Sequence, residues 1–334
     1  MSDALRSFAK INLGLKIGPL RPDGFHELRT IYQTVALHDV VRVEVQVGEG
    51  IEIRCSDPRV PCDATNTCYK IAERVLKSTG RRGKVSIEIE KRLPVQGGMG
   101  AASSNAVAAM LGLERVLGLN LAPQDRLRVA AEVGSDLPLF LIGGTMLGVE
   151  RGQEVYALQD LPETAVVVVT PQVGVSTPKA FAQWDALEAS ESALTALAPA
   201  GTIKQSDQAE HAWLSERLLS RARPAEGPAS GVPAVGGDRA ETPLLDLVRT
   251  GIENDFERVV FPEYPELCEA KSVLQREGAR YASLSGSGST LYGLFDSIGD
   301  AEAAAERMRA AGYTAVPTRT LTRAEYWERL VISG

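Results

Sequence analysis

Short segments of alternating polar and apolar residues fill the first third of the chain. Residues 40–47 (VVRVEVQV) and 51–54 alternate with a period of two, which predicts half-buried antiparallel strands. Lys84–Glu90 (KVSIEIE) alternates in the same way and predicts a further strand. Residues 8–15 (FAKINLGL) predict a strand with Lys10 and Asn12 on one face, because successive side chains of a strand point to opposite faces.

Apolar residues at helical spacing predict three helices in the first half of the chain, over 66–77, Ala101–Leu117 and 125–134. The second of these is rich in alanine and has few polar residues, which indicates a buried helix. Gly134 is expected to end the third helix.

In the second half, residues 165–170 (AVVVVT) predict a buried central strand. Tyr281–Leu284 and Leu291–Phe295 predict a pair of strands around a turn of glycine and serine, and 301–311 predicts a surface helix. Antiparallel strands combined with helices predict an α+β fold.

Composition and charge narrow the class of protein. A chain of 334 residues is expected to form roughly two domains, and 44% hydrophobic with 24% charged residues is typical of globular proteins. The net charge of −7 provides no overall basic field for nucleic acid and no attraction to an anionic membrane. An anionic ligand therefore needs local positive groups. We expect a monomer or weak homodimer that binds neither nucleic acid nor membranes.

Three features of the sequence indicate where the protein works in the cell and which part of the chain is flexible. The four cysteines include no CxxC pair, and the three histidines lie far apart, so we expect reduced thiols and no structural metal site. No apolar signal segment is visible at the start, and the prediction is a cytoplasmic protein. Residues 221–243 are rich in Pro, Gly and Ala, which predicts a flexible surface insertion.

The clearest candidate for chemistry is a glycine-rich segment, residues 94–104 (PVQGGMGAASS), between a predicted strand and a predicted helix. Unpaired amides at a helix N-terminus, together with about half a positive charge from the helix dipole, favour phosphate there. The segment lacks the Gly-Lys-Ser/Thr of a Walker A loop, and Ser103 stands in place of the third glycine of the dinucleotide fingerprint. The spacing of glycines and serines alone does not decide between two interpretations of this segment, a phosphate-binding loop and a plain strand-to-helix turn.

Two further segments leave similar alternatives. Residues 283–289 (SLSGSGS) form either a plain hairpin turn or a turn that passes close to a ligand or another backbone segment. Lys10 and Asn12 either reach solvent from an edge strand or project together into a cleft.

The order of these motifs resembles the GHMP small-molecule kinases. The resemblance rests on AKINL at 9–13, DGFHEL at 23–28, LPVQGGMGAASSNA at 93–106, GSDLPLF at 134–140 and LSGSGS at 284–289. It implies an N-terminal ATP-binding domain over 1–160, like the second domain of ribosomal protein S5. A ferredoxin-like C-terminal domain would follow over 161–334, with the flexible insertion at about 187–245 and the active site in the cleft between the domains.

The AKINL and DGFH motifs are similar to the branch of the family that phosphorylates the methylerythritol part of a cytidine-diphosphate alcohol with ATP and Mg²⁺. The resemblance implies that Asp136 acts as the base, or merely orients the hydroxyl, and that Lys10 is its electrostatic partner. The resemblance assigns substrate binding to Asn12, Phe25, His26 and Phe181. His26 would form a hydrogen bond with the cytosine, and the cytosine ring would lie between Phe25 and Phe181.

The resemblance assigns ATP binding to Asn66 and to the glycine-rich segment. The residues of that segment are Pro94, Val95, Gln96, Gly97, Gly98, Met99, Gly100, Ala101, Ala102, Ser103 and Ser104. Ser103 would also approach Mg²⁺ bound to ATP. Ala101 and Ala102 replace glycines common in the family and are expected to be helical already. Two alternatives remain: a GHMP kinase for homoserine, mevalonate or a sugar, and a catalytically silent binding protein of the same fold.

Overall fold

A computed structural model gives the structure of residues 3–95, 97–196 and 253–332. The described strands are β1 (Asp3–Leu20), β2 (His26–Gln46), β3 (Gly50–Cys55), β4 (Lys84–Glu90), β5 (Thr145–Val149), β6 (Glu154–Ala157), β7 (Ala165–Val169), β8 (Tyr281–Leu284), β9 (Leu291–Phe295), β10 (Ala315–Arg319) and β11 (Val331–Ile332). The described helices are α1 (Thr67–Thr79), α2 (Ala101–Leu117), α3 (Pro123–Val133), α4 (Leu137–Phe140), α5 (Thr177–Ala196), α6 (Glu257–Glu263), α7 (Pro265–Arg276), α8 (Ile298–Ala310) and α9 (Arg323–Leu330).

The first sheet is built on the long antiparallel pair β1 and β2. Its strand order is β11-β1-β2-β4-β3, and β5 pairs with both β2 and β6. The antiparallel pairing predicted for residues 51–54 is wrong, because β3 pairs in parallel with β4. Helix α1 follows β3 and precedes β4 in the chain. It carries the chain back to the end of the sheet where β3 began, so β4 runs parallel to β3.

The helices of the first half follow the predicted pattern closely. Helix α2 has the predicted bounds and starts at Ala101, so Ala101 and Ala102 are helical as expected. Helix α3 ends where predicted, with Gly134 as its C-cap. Helix α1 starts one residue later than predicted, because Asn66 forms its N-cap.

The second sheet is antiparallel throughout, with the strand order β10-β7-β9-β8. Every residue of the central strand β7 is buried, which confirms the prediction for residues 165–170. The strand pair β8 and β9 is confirmed as well. Helix α8 is a surface helix that buries one face, formed by Ala301, Ala304, Ala305 and Met308.

An apolar core joins the two sheets. Ile11 and Leu13 of β1 share this core with Val166 and Val168 of β7 and with Tyr292 of β9. Because alternate residues of β1 fill this core, its polar side chains at positions 10 and 12 lie on the other face. The prediction that Lys10 and Asn12 share one face is thereby confirmed.

The end of the chain returns to the first sheet. Strand β11 pairs with β1, and Tyr326 and Leu330 of α9 pack in the same core as Leu5 of β1. The domain limits of 1–160 and 161–334 stay a prediction. Of the predicted insertion at 187–245, residues 187–196 belong to α5, and the remainder lies outside the described residues. In the part of the chain that the structure describes, no helix is long and apolar enough to cross a membrane.

Candidate active site

Lys10 and Asn12 form the buried centre of the candidate site. Lys10 Nζ donates a hydrogen bond of 2.6 Å to Asn12 Oδ1, and Asn12 Nδ2 donates one of 2.7 Å to Thr30 Oγ1. Thr30 Oγ1 donates in turn to the carbonyl of Gly14 at 2.7 Å. This chain of bonds fixes the Asn12 amide with its oxygen towards the lysine, and Lys10 is only 4% exposed.

Asp136 lies at the open side of this centre, immediately before helix α4. Its Oδ2 is 3.9 Å from Lys10 Nζ, which makes an ion pair without a direct hydrogen bond. Its side chain is 36% exposed, whereas that of Lys10 is almost fully buried. The carboxylate can therefore contact a ligand hydroxyl from the solvent side while the ammonium approaches from the interior.

Tyr32 completes this centre, and sequence reasoning did not identify it. Its ring centroid is 5.4 Å from Lys10 Nζ, and its phenol interacts with the Asp136 carboxylate. Burial, with the charge of Asp136 and a hydrogen bond to it, raises the pKa of Tyr32 well above its usual value, so the phenol stays protonated. Tyr32 of β2 is the cross-strand partner of Asn12 in β1. The sequence points to Tyr32 only once the register of the two strands is known.

The charge of Lys10 depends on two opposing influences. Burial lowers the pKa of Lys10, and the negative charge of Asp136 raises it in part. Asp136 therefore helps to keep the ammonium charged in an environment that disfavours charge.

The glycine-rich segment owes its shape to close backbone contacts. Gly98 and Gly100 have φ angles of +73° and +69°. A Cβ on Gly98 would lie 2.3 Å from the carbonyl oxygen of Ser285, and one on Gly100 would lie 2.8 Å from the Phe140 ring. No side chain among the described residues caps α2 at Gly100, so the first amides of the helix are available to an anion.

Three residues assigned to ATP from the sequence occupy different environments. Met99 is buried between the sheets and its carbonyl accepts a 3.0 Å hydrogen bond from the Lys10 amide, so only its backbone borders the segment. Ser104 is buried too, and its hydroxyl accepts a 2.8 Å hydrogen bond from Ser7. Ser103 is half-buried, and its binding to phosphate stays a prediction. Gln96 lies outside the described residues.

Asn66 is adjacent to the glycine-rich segment but uses its side chain for the fold. Its Oδ1 accepts from the Cys68 amide at 2.8 Å, and its Nδ2 donates to the Pro61 carbonyl at 2.6 Å. The neighbouring Thr67 hydroxyl donates to the Ala102 carbonyl at 2.8 Å and joins the starts of α1 and α2. A role of Asn66 in adenine binding stays a prediction.

The turn at residues 285–289 packs on the glycine-rich segment, which resolves the alternatives left open for it. Ser285 Oγ donates to the Gly98 carbonyl at 3.1 Å. A Cβ on Gly286 would lie 3.7 Å from Lys10 Nζ, so this backbone also reaches the buried centre. Asn254, a buried residue that sequence reasoning missed, donates hydrogen bonds of 2.8 Å to the carbonyls of Leu284 and Gly286 and holds the turn in place.

Asp39 fixes the other end of the glycine-rich segment and was also missed. Its buried carboxylate accepts hydrogen bonds from Lys91 Nζ at 2.6 Å, from the Arg92 and Leu93 amides at 2.7 Å, and from Asn105 Nδ2 at 3.0 Å. These contacts tie the end of β4 to α2 on either side of the segment. Nothing in the local sequence around position 39 signals this role.

The residues predicted to bind a nucleobase lie at one end of β2 and on α5. The His26 ring stacks on the Phe181 ring with centroids 5.4 Å apart, and its Nδ1 lies 2.9 Å from the Gly18 carbonyl. Its Nε2 lies 2.8 Å from Asp185 Oδ1, without hydrogen-bond geometry. Phe25 is 53% exposed and faces the Arg151 guanidinium instead. The structure thus brings His26 to Phe181, and a base held between Phe25 and Phe181 stays a prediction.

Comparisons with known proteins agree with this architecture. The family model for the GHMP kinases N terminal domain matches residues 66–144, and the model for the GHMP kinases C terminal matches residues 241–314. The crystal structure of a 4-(cytidine 5'-diphospho)-2C-methyl-D-erythritol kinase superposes with a TM-score of 0.68 at 27% identity, over 95% of this chain and 98% of that one. A homoserine kinase from Cytophaga hutchinsonii, at 18% identity and a TM-score of 0.67 over 96% and 95% of the two chains, shares the fold.

Sequence relatives cover nearly the whole chain. The 4-diphosphocytidyl-2-C-methyl-D-erythritol kinase of Acaryochloris marina is 34% identical over 92% of this chain and 91% of its own length. That of Geobacter sulfurreducens is 31% identical over 95% and 98%. The expected GHMP kinase fold is confirmed, and the chain belongs to the 4-diphosphocytidyl-2-C-methyl-D-erythritol kinase family.

Proposed function

We propose that this protein transfers the γ-phosphoryl group of ATP to the 2-hydroxyl of 4-diphosphocytidyl-2-C-methyl-D-erythritol, a step of non-mevalonate isoprenoid precursor synthesis. The observation that carries the proposal is the buried Lys10 ammonium 3.9 Å from Asp136, beside the glycine-rich segment and the 285–289 turn. A kinase needs a phosphate cradle next to a group that receives the acceptor proton, and these elements provide both.

Asp136 is the proposed base. The oxygen of the 2-hydroxyl forms a bond to the γ-phosphorus while the bond from that phosphorus to the bridging oxygen of ADP breaks. The hydroxyl proton passes to the half-exposed carboxylate of Asp136, which can reach it from the solvent side. The Tyr32 phenol is the proposed positioning group for that carboxylate, because it is buried against it.

Lys10 is the proposed electrostatic partner of the transfer. Its ammonium is held by Asn12 and by the charge of Asp136, so it needs no rearrangement when charge moves to the phosphoryl oxygens. The first amides of α2 and the backbone of the 285–289 turn would hold the other phosphate oxygens. These groups supply the local positive potential that an acidic chain of net charge −7 requires.

Mg²⁺ is proposed to arrive bound to ATP and to neutralise phosphate charge. Among the described residues no group of three or more His, Cys, Asp or Glu side chains could hold a metal ion. Ser103 is the residue proposed to approach such an ion, and no step of the transfer is assigned to the ion. Asn12 is proposed to bind the methylerythritol hydroxyls, and Phe25, His26 and Phe181 the cytosine.

The proposal is tested by incubating the purified protein with ATP, Mg²⁺ and one acceptor at a time and measuring ADP release. We expect ADP release with the cytidine-diphosphate alcohol and none above background with homoserine, mevalonate or galactose. Turnover of another acceptor, or of none, would contradict it. His26→Ala adds a check, because activity should fall sharply for a substrate recognised through cytosine and hardly change for an acceptor without a base.

Tyr32→Phe is expected to lower kcat by about twofold to tenfold, the effect of one net hydrogen bond, with little change in the KM for ATP. The ring and its packing remain, and only the interaction with Asp136 is lost. Steady-state kinetics measure this, with Tyr313→Phe as the matched control, because Tyr313 is a partly buried tyrosine that packs against the core of the second sheet. An unchanged kcat in Tyr32→Phe would remove Tyr32 from the catalytic arrangement.

A further inference from the structure

The turn between β5 and β6, residues 150–153, has a strained and closely held backbone. Glu150 has a φ of +59° and is the one non-glycine residue with positive φ in the described ranges. Its carbonyl accepts from the Leu28 amide at 2.5 Å, and the Arg151 amide donates to Gln153 Oε1 at 2.9 Å. Strain of this kind persists where the surroundings hold it, often at functional sites.

Arg151 in this turn carries a guanidinium without an ion-pair partner among the described residues. The nearby carboxylates of Glu27, Asp23 and Glu150 pair with Arg21 instead, at 2.9, 3.4 and 3.6 Å. Arg151 influences Asp23 only as a more distant charge. Its Nε is buried and has no hydrogen-bond partner in the described structure. A cation in this state has unused capacity for an anionic ligand.

The turn connects the two ends of the proposed substrate site. On one side, the Arg151 guanidinium lies 5.0 Å from the centre of the Phe25 ring, at the nucleobase end. On the other side, a Cβ on Gly152 would lie 2.6 Å from the Tyr32 hydroxyl, and Tyr32 interacts with Asp136 at the reacting end. The turn that carries Arg151 therefore contacts both the ring proposed to hold cytosine and the tyrosine beside the group proposed to receive the proton.

We infer that Arg151 binds the diphosphate of the cytidine-diphosphate alcohol. In this substrate the diphosphate joins the cytidine to the methylerythritol, so it must lie between the nucleobase end and the reacting end. A guanidinium offers several donors in one plane and matches phosphate oxygens better than any other side chain. The inference rests on the proposed function, and it concerns a phosphate site separate from the glycine-rich segment.

The test compares CDP with cytidine as ligands of the wild-type protein and of Arg151→Gln, by NMR titration. The variant should bind CDP about 10- to 100-fold more weakly, the usual effect of losing a charged hydrogen bond, and cytidine with unchanged affinity. Arg151→Lys should recover part of the CDP affinity, because it restores the charge. Arg280→Gln, which removes an exposed arginine paired with Asp296 on the second sheet, is the matched control and should bind both ligands normally.

The inference would be overturned if Arg151→Gln lost affinity for CDP and for cytidine equally, because Arg151 would then act through the Phe25 ring. It would also be overturned if Arg151→Gln bound CDP with unchanged affinity. Equal affinities of the wild-type protein for CDP and cytidine would overturn it as well. The ligand-binding assay involves no turnover. A wild-type protein that binds CDP through Arg151 but fails to phosphorylate the alcohol would refute the proposed function and leave this inference standing.

Discussion

Asp136→Asn is expected to lower kcat by about 10²- to 10⁴-fold and to leave ATP affinity within about twofold of wild type. Asparagine keeps the size and position of the side chain but cannot accept a proton at neutral pH. The carboxylate is 36% exposed beside Lys10 and is not one of the groups proposed to bind ATP, so ATP affinity should not depend on it.

Steady-state kinetics and direct ATP titration of the same preparation measure the two quantities separately. Asp125→Asn changes a carboxylate in the first turn of α3 whose side chain is 47% exposed, and this matched control should retain wild-type kcat. A parallel loss of kcat and ATP affinity in Asp136→Asn would make Asp136 a structural residue. A fully retained kcat would show that Asp136 only borders the site.

Lys10→Met is expected to lower kcat by about 10²- to 10³-fold, the usual effect of removing one group that stabilises developing charge.

Lys10→Met should also change how the free energy of unfolding depends on pH. Burial lowers the pKa of Lys10 below its usual 10.5, so between the lowered value and 10.5 the unfolded chain binds more protons than the folded one. Lys10 therefore adds to the free energy of unfolding as pH rises through this window, by at most about 1.4 kcal/mol per pH unit.

Urea unfolding of wild type and Lys10→Met across the alkaline range measures this effect. The stability of wild type relative to the variant should increase with pH, and the increase should be absent when wild type is compared with Lys77→Met, an exposed control. The same pH dependence in all three proteins would show that burial does not penalise the Lys10 charge. Near-normal kcat in Lys10→Met would exclude Lys10 from the transfer.

The sequence was sufficient to predict elements whose periodicity arises from one buried face. Helix α2 and strand β7 have long apolar patterns, and both occur as predicted. The pairing of β3 was not predictable in this way, because period-two alternation is the same in parallel and antiparallel edge strands. Its direction depends on α1, which the local pattern of residues 51–54 does not contain.

The candidate site shows a similar division. Lys10, Asn12 and Asp136 stand in short motifs, and the structure brings them together. Tyr32 and Asn254 act across strands or across more than thirty residues of sequence, so no local pattern marks them. Burial also decides which side chains of a motif face the ligand, which is why Met99 and Ser104 point into the protein although the motif includes them.

Identification of the phosphorylated position by ³¹P NMR tests the proposed reaction most directly. The carbon at position 2 of the methylerythritol carries a methyl group and no hydrogen. Transfer to its hydroxyl should give a new phosphomonoester signal without coupling to a proton on that carbon, together with ADP. A phosphomonoester signal split by an adjacent proton, or no new signal while ATP and the alcohol are present, would contradict the proposed reaction.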